Sequence, residues 1–176
     1  MKRTFAVLAF ALSLAIMLPF AAQAATTGNA TVTLAAQAMV QLSVLDLAIT
    51  LTPTTTDYDH DYVDAAGGSG IRVNVRTNSS TGAALLISCQ DATPEIALAD
   101  LLVRTQTPPQ GGGTLISSYT PITAVNQTLW SSTTAIHGWL AVTTDVRIQN
   151  LMAYDDPSAP GVTDYTNTLT YSIVVQ

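Results

Sequence analysis

The residues with the clearest capacity for chemistry stand together at Asp57-Tyr58-Asp59-His60-Asp61-Tyr62-Val63-Asp64. Carboxylates at alternate positions can converge on a hard cation, and calcium takes oxygen ligands from flexible loops of this kind. Asp57, Asp59, Asp61 and Asp64 are therefore the candidate calcium ligands, with Asp155 or Asp156 to complete the shell. The spacing opens like an EF-hand loop, but its sixth position is Tyr62 and its twelfth is Gly68, where that loop requires Gly and Glu. A solvated acidic loop, in which like charges are tolerated best, is the simpler reading and the one we take; no other cofactor is expected.

Catalytic arrangements are sparse. His60 and His137 are the two histidines, and neither a G-x-S-x-G turn nor an H-E-x-x-H pair occurs. The one cysteine, Cys89, follows Leu85 and Ile87 at period two, which places it on their face of a strand as a small buried hydrophobe. We expect no enzymatic activity. Trp130 and Trp139 with Tyr58, Tyr62, Tyr119 and Tyr154 could form a sugar-stacking platform. Trp139, beside Leu140 in an apolar run, is expected in the core instead, whereas Trp130 fits either place.

The chain begins with Lys2 and Arg3, an apolar run from Phe5 to Leu18, then Pro19 and Ala22-Gln23-Ala24. That order is the order of a secretory signal peptide over residues 1–24, cleaved after Ala24, and it predicts a protein of the periplasm, cell surface or medium with no transmembrane segment once the leader is gone. Residues 25–176 then form one domain of ordinary size. Its positive charges are Arg72, Arg76, Arg104 and Arg147 against twelve acidic residues, a formal balance of 4 − 12 = −8. Such a surface opposes phosphate backbones and anionic headgroups, so no nucleic-acid partner is expected.

The elements that must position these groups read as strands. Val32, Leu34, Ala36, Ala38, Val40, Leu42 and Val44 alternate with polar residues such as Thr31, Thr33, Gln37 and Gln41, a run longer than one ordinary strand. Residues 25–45 could thus extend beyond what their own domain needs. Residues 53–70 read as a loop. Ile71 to Arg76 and Ala83 to Cys89, joined by Asn78-Ser79-Ser80-Thr81-Gly82, read as a hairpin. Residues 95–104 fit a short helix or a strand, and residues 107–113 are a loop. Further strands are expected at Thr114–Ser118, Gln127–Ser131, Ile136–Val142 and Val146–Leu151. A last one carries Tyr165, Leu169, Tyr171, Ile173 and Val175 on one face. Many strands, clear turn signals and no βαβ rhythm predict an all-β protein, an immunoglobulin-like antiparallel β-sandwich.

Two stretches carry a resemblance. The segment Ile71-Arg72-Val73-Asn74-Val75-Arg76-Thr77-Asn78 with Gly82, and the ending from Pro160-Gly161 through Tyr165-Thr166-Asn167-Thr168-Leu169-Thr170-Tyr171-Ser172-Ile173, resemble secreted bacterial immunoglobulin-like fibre subunits. The ending is similar to the last strand of spore-coat-U-like and archaic chaperone–usher pilins. This chain departs from many of them in lacking a cysteine pair and in having Val175 where a tyrosine often stands. The resemblance implies a sandwich short of one strand, completed by the N-terminal extension of a neighbouring copy. Residues Asn29 to Val44, with Val32, Leu34, Val40, Leu42 and Val44 as the interface face, would be that donor. The expected function is a structural subunit of a surface fibre, pilus or coat that forms a homo-polymer and can serve adhesion. A monomeric carbohydrate- or surface-binding module is the other reading.

Overall fold

The computed structural model describes residues 31–66, 69–155 and 164–176. The proposed leader lies outside them. The chain divides into Met1–Ala35 and Ala36–Gln176. Of the first unit, residues 31–35 are described: they have no regular secondary structure, and their side chains are exposed.

The second unit is all-β, with two antiparallel sheets on one core. Its strands are β1 (Val40–Val44), β2 (Tyr62–Ala65), β3 (Ile71–Thr77), β4 (Ala83–Cys89), β5 (Leu101–Thr105), β6 (Thr120–Pro121), β7 (Gln127–Ser132), β8 (Ile136–Gln149) and β9 (Leu169–Val175). A short helix, α1 (Thr55–His60), precedes β2. The larger sheet runs β1-β3-β8-β5-β6, with β2 also paired to β8; the smaller runs β7-β4-β9. Val73, Val75, Val103 and Val142 from the first sheet meet Leu85, Ile87, Leu129 and Trp130 from the second, and all are fully buried. Each side chain of this size buried contributes about 1.5–3 kcal/mol before ordering costs, so the interlayer is what holds the sheets face to face.

Several expectations are corrected by this topology. The segments around Asn78–Gly82 do not form a hairpin, because β3 pairs with β1 and β8 while β4 pairs with β7 and β9. The connection instead carries the chain from one sheet to the other. Gly82 has a φ of 85°, and a β-carbon there would collide with the Ser132 carbonyl, so only glycine lets the arch close against β7. The strand expected at Thr114–Ser118 is reduced to a single bridge, Leu115 to Trp130. The two strands expected within 136–151 are one, β8. Its Thr143-Thr144-Asp145 stretch reads as a break, yet it stays extended because it has partners on both edges, β3 then β2 on one and β5 on the other.

Two bulges decide where the tryptophans go. Between β4 and β7, Leu85 faces Trp130 but Leu86 faces Thr128, so Leu129 is an extra residue. Breaking the alternation there turns both Leu129 and Trp130 inward, which period two alone forbids. Between β3 and β8, Val75 faces Leu140 while Thr77 faces Ile136, which leaves two extra residues on β8. His137, Gly138 and Trp139 are consequently all exposed, and Trp139 is corrected from core to surface.

Candidate functional site

The flank of the sandwich between β1 and β9 is bounded, among the described residues, by an end strand of each sheet. Among the described residues β1 is an edge strand that pairs with β3 alone, and β9 an edge strand that pairs with β4 alone. Their Cα atoms approach within 8 Å, but among the described residues no ladder joins them. Each therefore carries a row of outward backbone groups with no strand partner, the feature that makes a sheet edge a template for another strand. The apolar residues along the flank are only partly covered: Leu42 and Val44 on β1, Leu169, Tyr171 and Ile173 on β9, with Ile49 and Leu51 beyond β1, pack against the core without being buried in it.

Polar atoms along β9 tell the same story. The Tyr171 and Ser172 hydroxyls are out of solvent and make no hydrogen bond among the described residues, and the Thr144 hydroxyl of β8 is in the same state. Burial pushes the Tyr171 hydroxyl up to about 12, and the nearby Thr144 side chain offsets part of that shift without reaching hydrogen-bond geometry. An unsatisfied buried hydroxyl costs about 1–3 kcal/mol, so β9 holds its place on apolar contact and its ladder with β4.

The residues expected as one donor strand divide. Val40, Leu42 and Val44 lie in β1, paired with β3 from Val40–Thr77 to Val44–Val73, and so belong to this chain's own sheet. Val32 and Leu34 lie upstream, 93% and 88% exposed. Asn78 separates the two parts: its Nδ2 donates to the Gln37 carbonyl at 2.8 Å, its Oδ1 accepts from the Met39 amide at 2.6 Å, and its own amide donates to the Met39 carbonyl at 3.2 Å. The last strand is also shorter than expected. Tyr165 lies before β9 and stacks edge-on against Tyr154 at 5.1 Å, while Val175 is 40% exposed.

The acidic stretch is not a loop but helix α1 and strand β2, and its carboxylates go separate ways. Asp57 accepts from the Thr54 amide and hydroxyl, both at 2.7 Å, in a capping box that holds its carboxyl below the usual range. Asp61 ends the helix at a left-handed φ of 61°. Asp64 forks onto Arg147 at 2.6 and 2.7 Å. Asp59 is exposed on α1. Among the described residues no group of three or more acidic, histidine or cysteine side chains is placed to hold a metal; Asp156 lies outside them.

All four arginines of the described residues extend from β3, β5 and β8 of the larger sheet, and three are neutralised by carboxylates: Arg72 by Asp46 at 2.8 Å, Arg104 by buried Asp145 at 3.0 Å, and Arg147 by Asp64. Arg147 also lies between the rings of Tyr62 and Tyr119, at 3.8 and 4.1 Å, and Arg104 covers Tyr119 at 4.4 Å. These tyrosines are thus engaged by cations rather than laid out as a platform, and Trp130 is core. Asp145 escaped the sequence reading because a lone acid between Thr144 and Val146 looks like a turn. Burial pushes the Cys89 thiol up, in keeping with an inert core position.

No protein-family model, no curated protein and no solved structure matches the chain. The site therefore rests on its own geometry.

Proposed function

We propose that the chain is an exported structural subunit of a surface fibre, pilus or coat, polymerising by β-strand complementation in an immunoglobulin-like manner. The observation that carries this reading is that β9, the last strand, is an edge with a single partner and a half-covered apolar face. The donor is the part of that segment upstream of the Asn78 contacts, residues 29–36, in which Val32 and Leu34 are exposed and can bury. Added beside β9 of a neighbour, it would satisfy the edge backbone by β-augmentation and cover Leu169, Tyr171 and Ile173. A hydrogen-bonded strand sits about 4.8 Å from its neighbour, so one paired to both β1 and β9 needs roughly 9–10 Å between them. The two edges, now within 8 Å at their closest, part by a few ångström on accepting it.

The test compares residues 25–176 with the same protein lacking 25–36, which keeps the Asn78 contacts to Gln37 and Met39. By size-exclusion chromatography and circular dichroism the longer form should polymerise and the shorter should be a folded monomer. A synthetic peptide of residues 29–36 should bind the shorter form. A longer form that stays monomeric at high concentration, or a shorter form that polymerises equally, would sink the proposal.

A further inference from the structure

The bulge in β8 assembles a second site on the larger sheet, where β3 and β8 meet the start of β1. Among the described residues Arg76 is the arginine without a carboxylate: its Nε donates to Gln41 Oε1 at 2.5 Å, its guanidinium carbon lies 4.4 Å over the Trp139 ring, and none of their acidic groups pairs with it. Its two terminal amino groups make no hydrogen bond among the described residues. Beside it opens a depression of about 200 Å³ bounded by Met39, Gln41, Arg76, Asn78 and His137. Trp139, which adjoins the depression through Arg76 rather than lining it, is 49% exposed, because the two extra residues of β8 turn His137, Gly138 and Trp139 outward opposite Arg76. A β-carbon on Gly138 would meet nothing within 4 Å, so the tip of the bulge stands in open space. Bulges that re-aim side chains gather next to binding sites.

We propose that this site binds a carboxylate-bearing sugar residue, a uronic acid. The free fork of Arg76 matches a carboxylate bidentately, a geometry that a point charge cannot reproduce. The ring edge and face of Trp139 left by Arg76 accept the C–H face of a pyranose, and the Gln41 amide and His137 imidazole are within the same depression for its hydroxyls. A neutral sugar would leave the Arg76 fork unanswered. A polyanion of great length would be opposed by the acidic remainder of the chain, net −6 overall, so the recognised unit is short. The site shares Met39 and Gln41 with the start of β1, but its test reads sugar binding rather than assembly, so failure of this inference and failure of strand exchange are distinguishable.

The experiment titrates the protein of residues 25–176 with the trisaccharide of galacturonic acid, with its methyl ester, and with an acidic hexapeptide, following Trp139 fluorescence. Trp130, fully buried, supplies a constant background. The free acid should bind in the millimolar range or tighter, and the ester should be weaker by about tenfold or more. Arg76→Gln and Arg76→Lys should each lose about tenfold, the second despite keeping the charge, and Trp139→Phe should bind without the signal, read by calorimetry. Circular dichroism confirms that the variants fold. Equal binding of acid and ester, binding unchanged in Arg76→Gln, no binding of the acid at millimolar concentration, or preference for the peptide would each overturn the proposal.

Discussion

Strand β8 and strand β9 face the same core and are built in opposite ways. β8 has partners along both edges, and even the charge it buries is answered, since Asp145 takes the Arg104 guanidinium and the Gln106 amide at 3.0 and 2.8 Å. β9 has one partner, three half-covered apolar side chains, and two hydroxyls out of solvent with nothing to bond. Among the described residues the first is paired along its length, and the second has a strand on one side alone. Strength in this fold is therefore uneven: substitutions in the centre should cost the domain its stability, and those on the flank should act on association.

The largest expected effect is in the centre. Leu85→Ala on β4 removes a fully buried side chain between β7 and β9, and should cost about 2–5 kcal/mol in urea unfolding. Ile173→Ala, its register neighbour on β9 but partly exposed, should cost about half as much or less in the isolated domain. If the two costs are equal, the flank is as finished as the centre and the comparison fails.

Next comes the buried charge. Asp145→Ala leaves Arg104 with its tyrosine contact alone and should cost about 3 kcal/mol, because breaking a buried pair from one side strands the other ion. Its sequence neighbourhood, Thr143-Thr144-Asp145-Val146, shows what composition could and could not announce. The alternation at Val142 and Val146 was visible as two strands, and the all-β architecture followed from such patterns. Pairing across the chain was not visible, so neither the continuity of β8 nor the separation of β3 from β4 into different sheets could be read. The bulges are the sharper case. Leu129 and Trp130 both bury, and Trp139 does not, because one or two extra residues change which side a strand shows, and period two has no mark for that. The flank was half legible: the apolar face of β9 stood in the alternation of Leu169, Tyr171 and Ile173, but that Val40–Val44 pairs at home while Val32 and Leu34 lie free of any strand depended on Asn78, thirty-nine residues from Met39.

Alkaline pH should separate the two regions by a smaller margin. The Tyr171 hydroxyl ionises at about 12 in the folded chain against 10.0 ordinarily. A raised folded value means that this contribution is fully present below pH 10 and is lost as pH rises through 12; two pH units correspond to roughly 2–3 kcal/mol. Tyr119 and Tyr154 shift in the same direction, chiefly through burial, and add to the loss. Tyr171→Phe removes an unpaired hydroxyl, so near neutral pH it should be neutral or slightly stabilising, within about 1 kcal/mol. Above pH 10 it should melt higher than the parent, by a margin that grows with pH. Parallel melting curves for the two proteins from pH 8 to pH 11.5 would show that the Tyr171 hydroxyl ionises in the folded chain as it does in the unfolded one, and so is open to water rather than shut away on β9.

The smallest effect is expected where the acidic residues are densest. A bound ion stabilises a fold only through ligands that converge on it, and the shift grows with ion concentration above the dissociation constant. Asp57 is spent on the Thr54 cap and Asp64 on Arg147, and Asp61 serves the turn that ends α1, its Oδ1 accepting from the Met152 amide at 3.4 Å. Drawing all four onto one calcium would break the cap and the fork together, which several oxygen–calcium contacts would first have to offset. The melting temperature should therefore stay constant as free calcium rises from chelator to millimolar levels, and Asp59→Asn should leave it unchanged. A saturable rise abolished by Asp59→Ala with Asp61→Ala would mean that α1 unwinds to make a calcium loop, and the stretch 57–64 would then join the flank as a part of the molecule completed from outside.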